Sequence, residues 1–252
     1  MKEKTEKLIK AFGLLTTEEA QLLMNVAELL PKGSVVVNIG AGVGTSALAT
    51  IEQRPDLAKT FYTIDHRDDD NPFGGMLNEL HAFQNAKMEH LLPNQIKGDS
   101  STVGAGWKNG KINMLIVDAD HTKDGLMKDM LAWLPHLAVS GFVAFHDYTA
   151  EKWPDVYTTI EETIMRDESY EYVEMRDTMI VFRKLREPKP EKEATAELAE
   201  EESMPESIYR KADERTSKRD IAVEEHKEPV EKKPVSTRQK KVKKTENELS
   251  KE

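Results

Sequence analysis

Short apolar runs alternate with helix-like stretches along the first 186 residues, and nearly every run stops on a glycine, an acid or a histidine. Val35-Val36-Val37 opens into a glycine loop. Thr60 to Ile64 stops on Asp65. A weaker run closes at Ile96 before Gly98-Asp99. Ile112 to Val117 stops on Asp118, and Gly141 to Phe145 stops on His146-Asp147. Continuous apolar strands separated by helices need burial on both faces, which means a parallel sheet with helices on either side. Two further runs, Tyr170–Met175 and Thr178–Arg183, are joined by the tight turn Arg176-Asp177 and read as an antiparallel edge hairpin. The pattern predicts a three-layer, doubly wound, Rossmann-like α/β fold. Its sheet is mostly parallel, with seven strands.

The stretches between the runs carry helix signals. Leu8, Ile9, Phe12 and Leu15 recur near a 3.6-residue period, and Thr16 with Glu19 three positions on reads as a capping box. The next helix carries Ala20, Leu22, Leu23, Val26, Leu29 and Leu30, and Pro31-Lys32-Gly33 ends it. Helices follow the glycine loop, span about 75–88 and lie near Val156–Arg166. Between the fourth and fifth runs, DGLMKDMLAWL places Leu126, Met130, Leu131 and Leu134 on one stripe.

Composition changes at residue 187. From there to Glu252, 34 of 66 residues are charged and Tyr209 is the sole aromatic. Such a segment buries too little apolar surface to offset the entropy of ordering it. The expected organisation is one domain over 1–186, with N-terminal helices in 1–30, and a disordered charged tail over 187–252. Lys232 to Lys244 holds seven bases and no acid, and is the one stretch suited to weak contact with nucleic acid. The net charge of −10 argues against a general nucleic-acid surface. With no cysteine, disulfides, thiolate zinc sites and cysteine nucleophiles are excluded. No apolar run approaches the ~20 residues that span a bilayer, and the N-terminus lacks a signal-peptide pattern. A cytoplasmic protein is the expectation.

The glycine loop reads Asn38-Ile39-Gly40-Ala41-Gly42-Val43-Gly44-Thr45. At the carboxyl end of a first strand, such a loop lets a ligand approach the backbone, and the following helix turns free N–H groups toward it. The G-x-G-x-G spacing departs from the G-x-G-x-x-G of dinucleotide enzymes. It resembles motif I of the class I S-adenosylmethionine-dependent methyltransferases. That family commonly carries an acid two positions before the first glycine; here the residue is Asn38. Asp65 lies 21 residues after Gly44, where a carboxylate can accept from two ribose hydroxyls. By the resemblance, Asp99 reads the adenine amino group. Trp107, in a strand-end loop, could flank the ring.

The most specific signal is the pair Asp118-Ala-Asp120-His121 and His146-Asp147-Tyr148, with Ala132-Trp133-Leu134-Pro135 on the helix between. It resembles a bacterial methyltransferase branch with D-x-D-H and H-D-Y strand ends, related to the cation-dependent O-methyltransferases. The resemblance implies a cofactor site of Asn38, Gly40, Gly42, Gly44, Asp65, Asp99 and Asp118. It implies Mg2+ or another divalent cation between Asp118 and Asp147. His146 or His121 is a ligand or a proton-removing base. A small-molecule or sugar hydroxyl is the expected acceptor, covered by the N-terminal helices and segment 66–75. Two alternatives stay open: a non-catalytic methyltransferase-like scaffold, favoured by Asn38, and an NAD-dependent oxidoreductase. Oligomeric state is not readable.

Overall fold

The computed structural model describes residues 1–66 and 75–187. The charged tail, its basic stretch 232–244 and Asp68–Asp70 of the candidate cover lie outside the described residues.

The elements run in chain order. Helices α1 (Glu3–Phe12) and α2 (Thr17–Glu28) precede strand β1 (Val36–Ile39) and α3 (Thr45–Gln53). Then come β2 (Phe61–Asp65), α4 (Met76–Ala86), β3 (Asn94–Lys97), α5 (Ser100–Ala105), β4 (Ile112–Val117) and α6 (Lys123–Trp133). β5 (Leu137–Phe145), α7 (Pro154–Glu162), β6 (Tyr170–Arg176) and β7 (Met179–Lys184) complete the domain. The seven strands form one sheet in the order β3-β2-β1-β4-β5-β7-β6. β1 to β5 pair in parallel, and β7 runs antiparallel to both β5 and β6. The expected Rossmann-like fold with an antiparallel edge is the fold found. Strand order reverses between β1 and β4, which opens a crevice at their carboxyl ends.

Alternation along the strands builds two cores. Val36, Met114, Ile116 and Ala144 pack with α1 to α4 on one face. Val37, Ile39, Leu115, Val117 and Val143 pack with α6 and α7 on the other. The capping box on α2 is present: the Thr16 hydroxyl accepts from the Glu19 N–H, and the Glu19 carboxylate accepts from the Thr16 N–H.

Three stripe positions differ from the sequence expectation. Leu131 is 71% exposed; its place against the sheet goes to Trp133, seven residues after Leu126 on the same face. Leu29 is exposed because α2 ends one residue before it, and Phe12 lies at the last turn of α1 on its outer side. Trp107 does not line the cavities at the strand ends. It is buried in the core, edge-on to Tyr62 and tilted against Trp133.

Candidate active site

The first strand delivers the glycine loop to the crevice. Gly40, Gly42 and Gly44 all have positive φ, at 79°, 54° and 83°. Gly40 is also hemmed in: a β-carbon there would lie 1.7 Å from the Asp118 carbonyl oxygen. Two strand ends can therefore converge only around a residue without a side chain. Gly44 caps α3, whose free N–H groups face the loop. Beside the loop, Asp65 is buried at the end of β2 and its Oδ2 accepts from the Gly42 N–H at 3.2 Å. Asn38 is 1% exposed on β1, and neither its amide oxygen nor its nitrogen has a hydrogen-bond partner among the described residues.

A cavity of about 760 Å³ opens over these strand ends, lined by Gly40, Asp65, Asp99, Ser100 and His121 among others. That volume suits a nucleoside-sized ligand. Asp99 lines it while capping α5. Its Oδ1 accepts from the Thr102 N–H at 2.8 Å and the Ser101 hydroxyl at 2.7 Å. Bonds from Thr102 and Ser101 hold its carboxyl down at about 2.

A second cavity, of about 250 Å³, adjoins it. Its walls include Gly13 and Leu14 of the α1–α2 linker, Gly42, Asp118, His146 and Asp147. Here the ends of β4 and β5 bring two carboxylates and two imidazoles together. His121 Nε2 donates to Asp147 Oδ2 at 2.9 Å and lies 3.6 Å from Asp118 Oδ1. His146 Nδ1 lies 3.4 Å from Asp118 and 3.3 Å from Asp147, close enough for ionic attraction but not aligned as a hydrogen bond. Asp147 adopts a positive φ of 58°, a conformation Asp tolerates better than most residues. His121 stacks on Trp153, with ring centroids 4.3 Å apart.

The charges in this cluster are mutually dependent. The Asp118 and Asp147 carboxylates raise His121 to about 9. Burial would lower His146, but Asp118, Asp147 and Glu19 outweigh it and hold the ring well above the usual histidine range. Burial likewise opposes ionisation of Asp118 and Asp147, yet the two rings keep both carboxyls below their ordinary values. The carboxylates thus favour the protonated form of each ring. Three carboxylates, counting Glu19, face two imidazolium rings, which leaves one negative charge. Asp118, His121 and Asp147 each offer one ligand atom, all within 4.8 Å of one another. Two carboxylates and an imidazole with that convergence fit a divalent cation, and the histidine tilts the donor set toward manganese or another transition metal.

Of the residues singled out from sequence, the structure gathers Gly40, Asp65 and Asp99 around the larger cavity, and Asp118, His146 and Asp147 around the smaller. Gly40 and His121 line both. Gly44, at the start of α3, and Asn38, on β1, line neither. Two contributors were not singled out as site residues. Glu19 was visible only as a cap, 127 positions from His146, and Trp153 carried no motif at all.

Residues 37–148 match a family model described as a methyltransferase domain. No curated protein sequence matches the chain. Among solved structures, a provisionally assigned caffeoyl-CoA O-methyltransferase from Staphylococcus aureus superposes with a TM-score of 0.53 at 14% identity, over 71% of this chain and 91% of that one. The O-methyltransferase NovP gives 0.55 at 12% identity, over 68% and 81%. MycE, a methyltransferase of the mycinamycin biosynthetic pathway in complex with Mg, SAH and mycinamycin VI, gives 0.51 at 14%, over 75% and 57%. At these identities the likeness is one of fold: the chain has the Rossmann-like methyltransferase fold.

Proposed function

We propose that this chain is an S-adenosylmethionine-dependent methyltransferase acting on a hydroxyl of a small molecule, in the branch with D-x-D-H and H-D-Y strand ends. One observation carries the reading. A positive-φ glycine loop, a buried acid at the end of β2 and a two-carboxylate cluster at the ends of β4 and β5 surround adjoining cavities at the switch point of the sheet. The family match over residues 37–148 supports the cofactor class. NovP, an O-methyltransferase, supports an oxygen acceptor, and MycE, in complex with mycinamycin VI, supports a small-molecule one.

When bound, the cofactor would supply an already activated methyl group, and a divalent cation would supply Lewis acidity toward an acceptor hydroxyl. The chain's own residues do the rest. Asp65 would accept from ribose hydroxyls, and Asp99 would offer its Oδ2 to the adenine amino group. The glycine loop admits the cofactor to the backbone, with Asn38 on the strand before it. Asp118, His121 Nε2 and Asp147 would hold the cation. His146 faces the smaller cavity through Nδ1, and Leu14 and Gly13 form one of its walls. Holding the acceptor in line and dry is most of what methyl transfer asks of a protein.

Calorimetric titration tests this directly. S-adenosylmethionine is expected to bind at micromolar concentration and NAD not at all, with a further change when magnesium or manganese replaces chelator. Binding of NAD alone would refute the reading. A second reading, a scaffold without turnover, is favoured by the unpartnered Asn38 amide, which lacks the charge to hold a cationic amino group. Failure to bind either cofactor would support it.

A further inference from the structure

Glu19 is more than a helix cap. Capping-box glutamates ordinarily sit at the surface, where reaching back to the cap N–H involves little desolvation. Glu19 is 1% exposed. Its Oε1 accepts from the Thr178 N–H at 3.0 Å and the Thr178 hydroxyl at 2.7 Å. Its Oε2 accepts from the Thr16 N–H at 2.9 Å and lies 3.2 Å from His146 Nε2. A carboxylate has about four acceptor sites, and here all four are taken. Burying a carboxylate costs several kcal/mol unless it is paired and fully bonded. The cap alone does not require that burial; Thr178 and His146, both outside the cap, take the other three acceptor sites.

The consequence for the site is geometric. With Nε2 tied to Glu19, the His146 ring is left one orientation, in which Nδ1 faces Asp118 and Asp147 on the wall of the 250 Å³ cavity. The same carboxylate anchors the first turn of α2, and Gly13 and Leu14 of the linker just before it form another wall of that cavity. Thr16 adds a second stitch, its hydroxyl donating to Asp177 Oδ2 at 2.6 Å.

We propose that Glu19 is a positioning residue of the active site. It fixes the direction of the His146 ring so that Nδ1 addresses the carboxylate pair and the acceptor. The proposal rests on the methyl-transfer reading of the cavity, since only there does the ring's direction matter for turnover. The logic is that of a carboxylate holding a histidine from behind, which recurs across unrelated enzymes.

The test is nuclear magnetic resonance of the full chain with labelled histidine, the His146 signals being assigned from His146→Gln. In the wild-type protein, the His146 Nε2 proton should be visible and protected from solvent exchange. It should be lost in Glu19→Gln, whose amide cannot serve all four donors, and retained in Thr16→Ala, which removes the cap but leaves the carboxylate. Affinity for S-adenosylmethionine should stay within about twofold in both variants, because Glu19 lines neither cavity. A merely structural role predicts equal effects of the two substitutions. The proposal is overturned by any of three results: no protected signal in the wild type, its survival in Glu19→Gln, or its equal loss in Thr16→Ala. The first needs no variant to fold. Absence of cofactor binding by the wild type would remove the functional reading instead, and would leave the His146 signal to decide the geometry on its own.

Discussion

At the scale of single residues, a buried carboxyl directly behind the glycine loop gives the clearest titration signature. Glu79 Oε2 accepts from the Thr63 hydroxyl and the Gln95 amide, each at 2.8 Å, while Oε1 has no partner among the described residues. Burial pushes its carboxyl up from 4.5 to about 7. A carboxyl raised on folding makes the native state bind more protons than the unfolded chain between those values, so stability falls as pH rises through that window. The loss is on the order of 3 kcal/mol once pH exceeds 7. Glu79→Gln has no charge to bury. Its urea midpoint should match the wild type near pH 5 and exceed it at pH 8, and parallel midpoints at both pH values would contradict the assignment. Asp65 gives the companion binding prediction. Its carboxylate is held toward the cavity by the Gly42 N–H, so Asp65→Ala should weaken S-adenosylmethionine at least tenfold by calorimetry; unchanged affinity would remove it from the cofactor site. These two acids also show what the sequence discloses. Asp65 was legible because a strand ends on it. Glu79 was not, because a lone glutamate on a helix carries no mark of which face the tertiary fold will cover.

At the scale of elements, periodicity read the strands well and the helix faces less well. Every strand end that carries a site residue was visible as an apolar run meeting a polar stop, and the β6–β7 hairpin was visible from its turn. Helix α5 was not. Six residues, SSTVGA, show no stripe; they are helical because Asp99 caps them and because Gly104 lets α6 approach. A β-carbon at Gly104 would meet the Trp133 ring at 2.8 Å and Ala132 Cβ at 2.9 Å. Trp133 cannot swing away, since it is fully buried with Nε1 donating to the Ser100 carbonyl at 3.0 Å. Glycine to alanine in a helix ordinarily gains up to ~1 kcal/mol. Overpacking of this kind costs ~1–3 kcal/mol, so the crowding decides the sign. Gly104→Ala is expected to lower stability by roughly 1–2 kcal/mol in urea denaturation. An increase would mean that α5 and α6 can part more easily than their packing implies.

At the scale of the whole molecule, the acid and histidine cluster ties together parts that are far apart in the chain. Asp118 follows β4, His121 precedes α6, Asp147 follows β5 and Glu19 lies on α2, so a ligand seated among them couples to the folding of the entire sheet. The sequence brought Asp118 and Asp147 together at adjacent strand ends but left out Glu19; the meeting of the two aspartates rests on β4 and β5 being neighbours in register, with Val117 opposite Phe145. Among the described residues this is the one cluster whose ligand atoms meet closely enough for a metal ion. A ligand that binds only the native state adds about 2.7 kcal/mol at one hundred times its dissociation constant. In a domain of this size each kcal/mol raises Tm by about 2–4 °C. Saturating Mn2+ should therefore raise Tm by roughly 5–10 °C relative to chelator, with Mg2+ weaker because an imidazole is a poor ligand for it. Asp147→Asn should abolish the shift without disturbing the backbone, since asparagine accepts the positive φ at this position. Equal Tm values in Mn2+, Mg2+ and chelator would refute a bound cation. The cluster would then be an ion-pair network of three carboxylates and two imidazolium rings, and methyl transfer would have to rely on Asp118, Asp147 and the histidines alone.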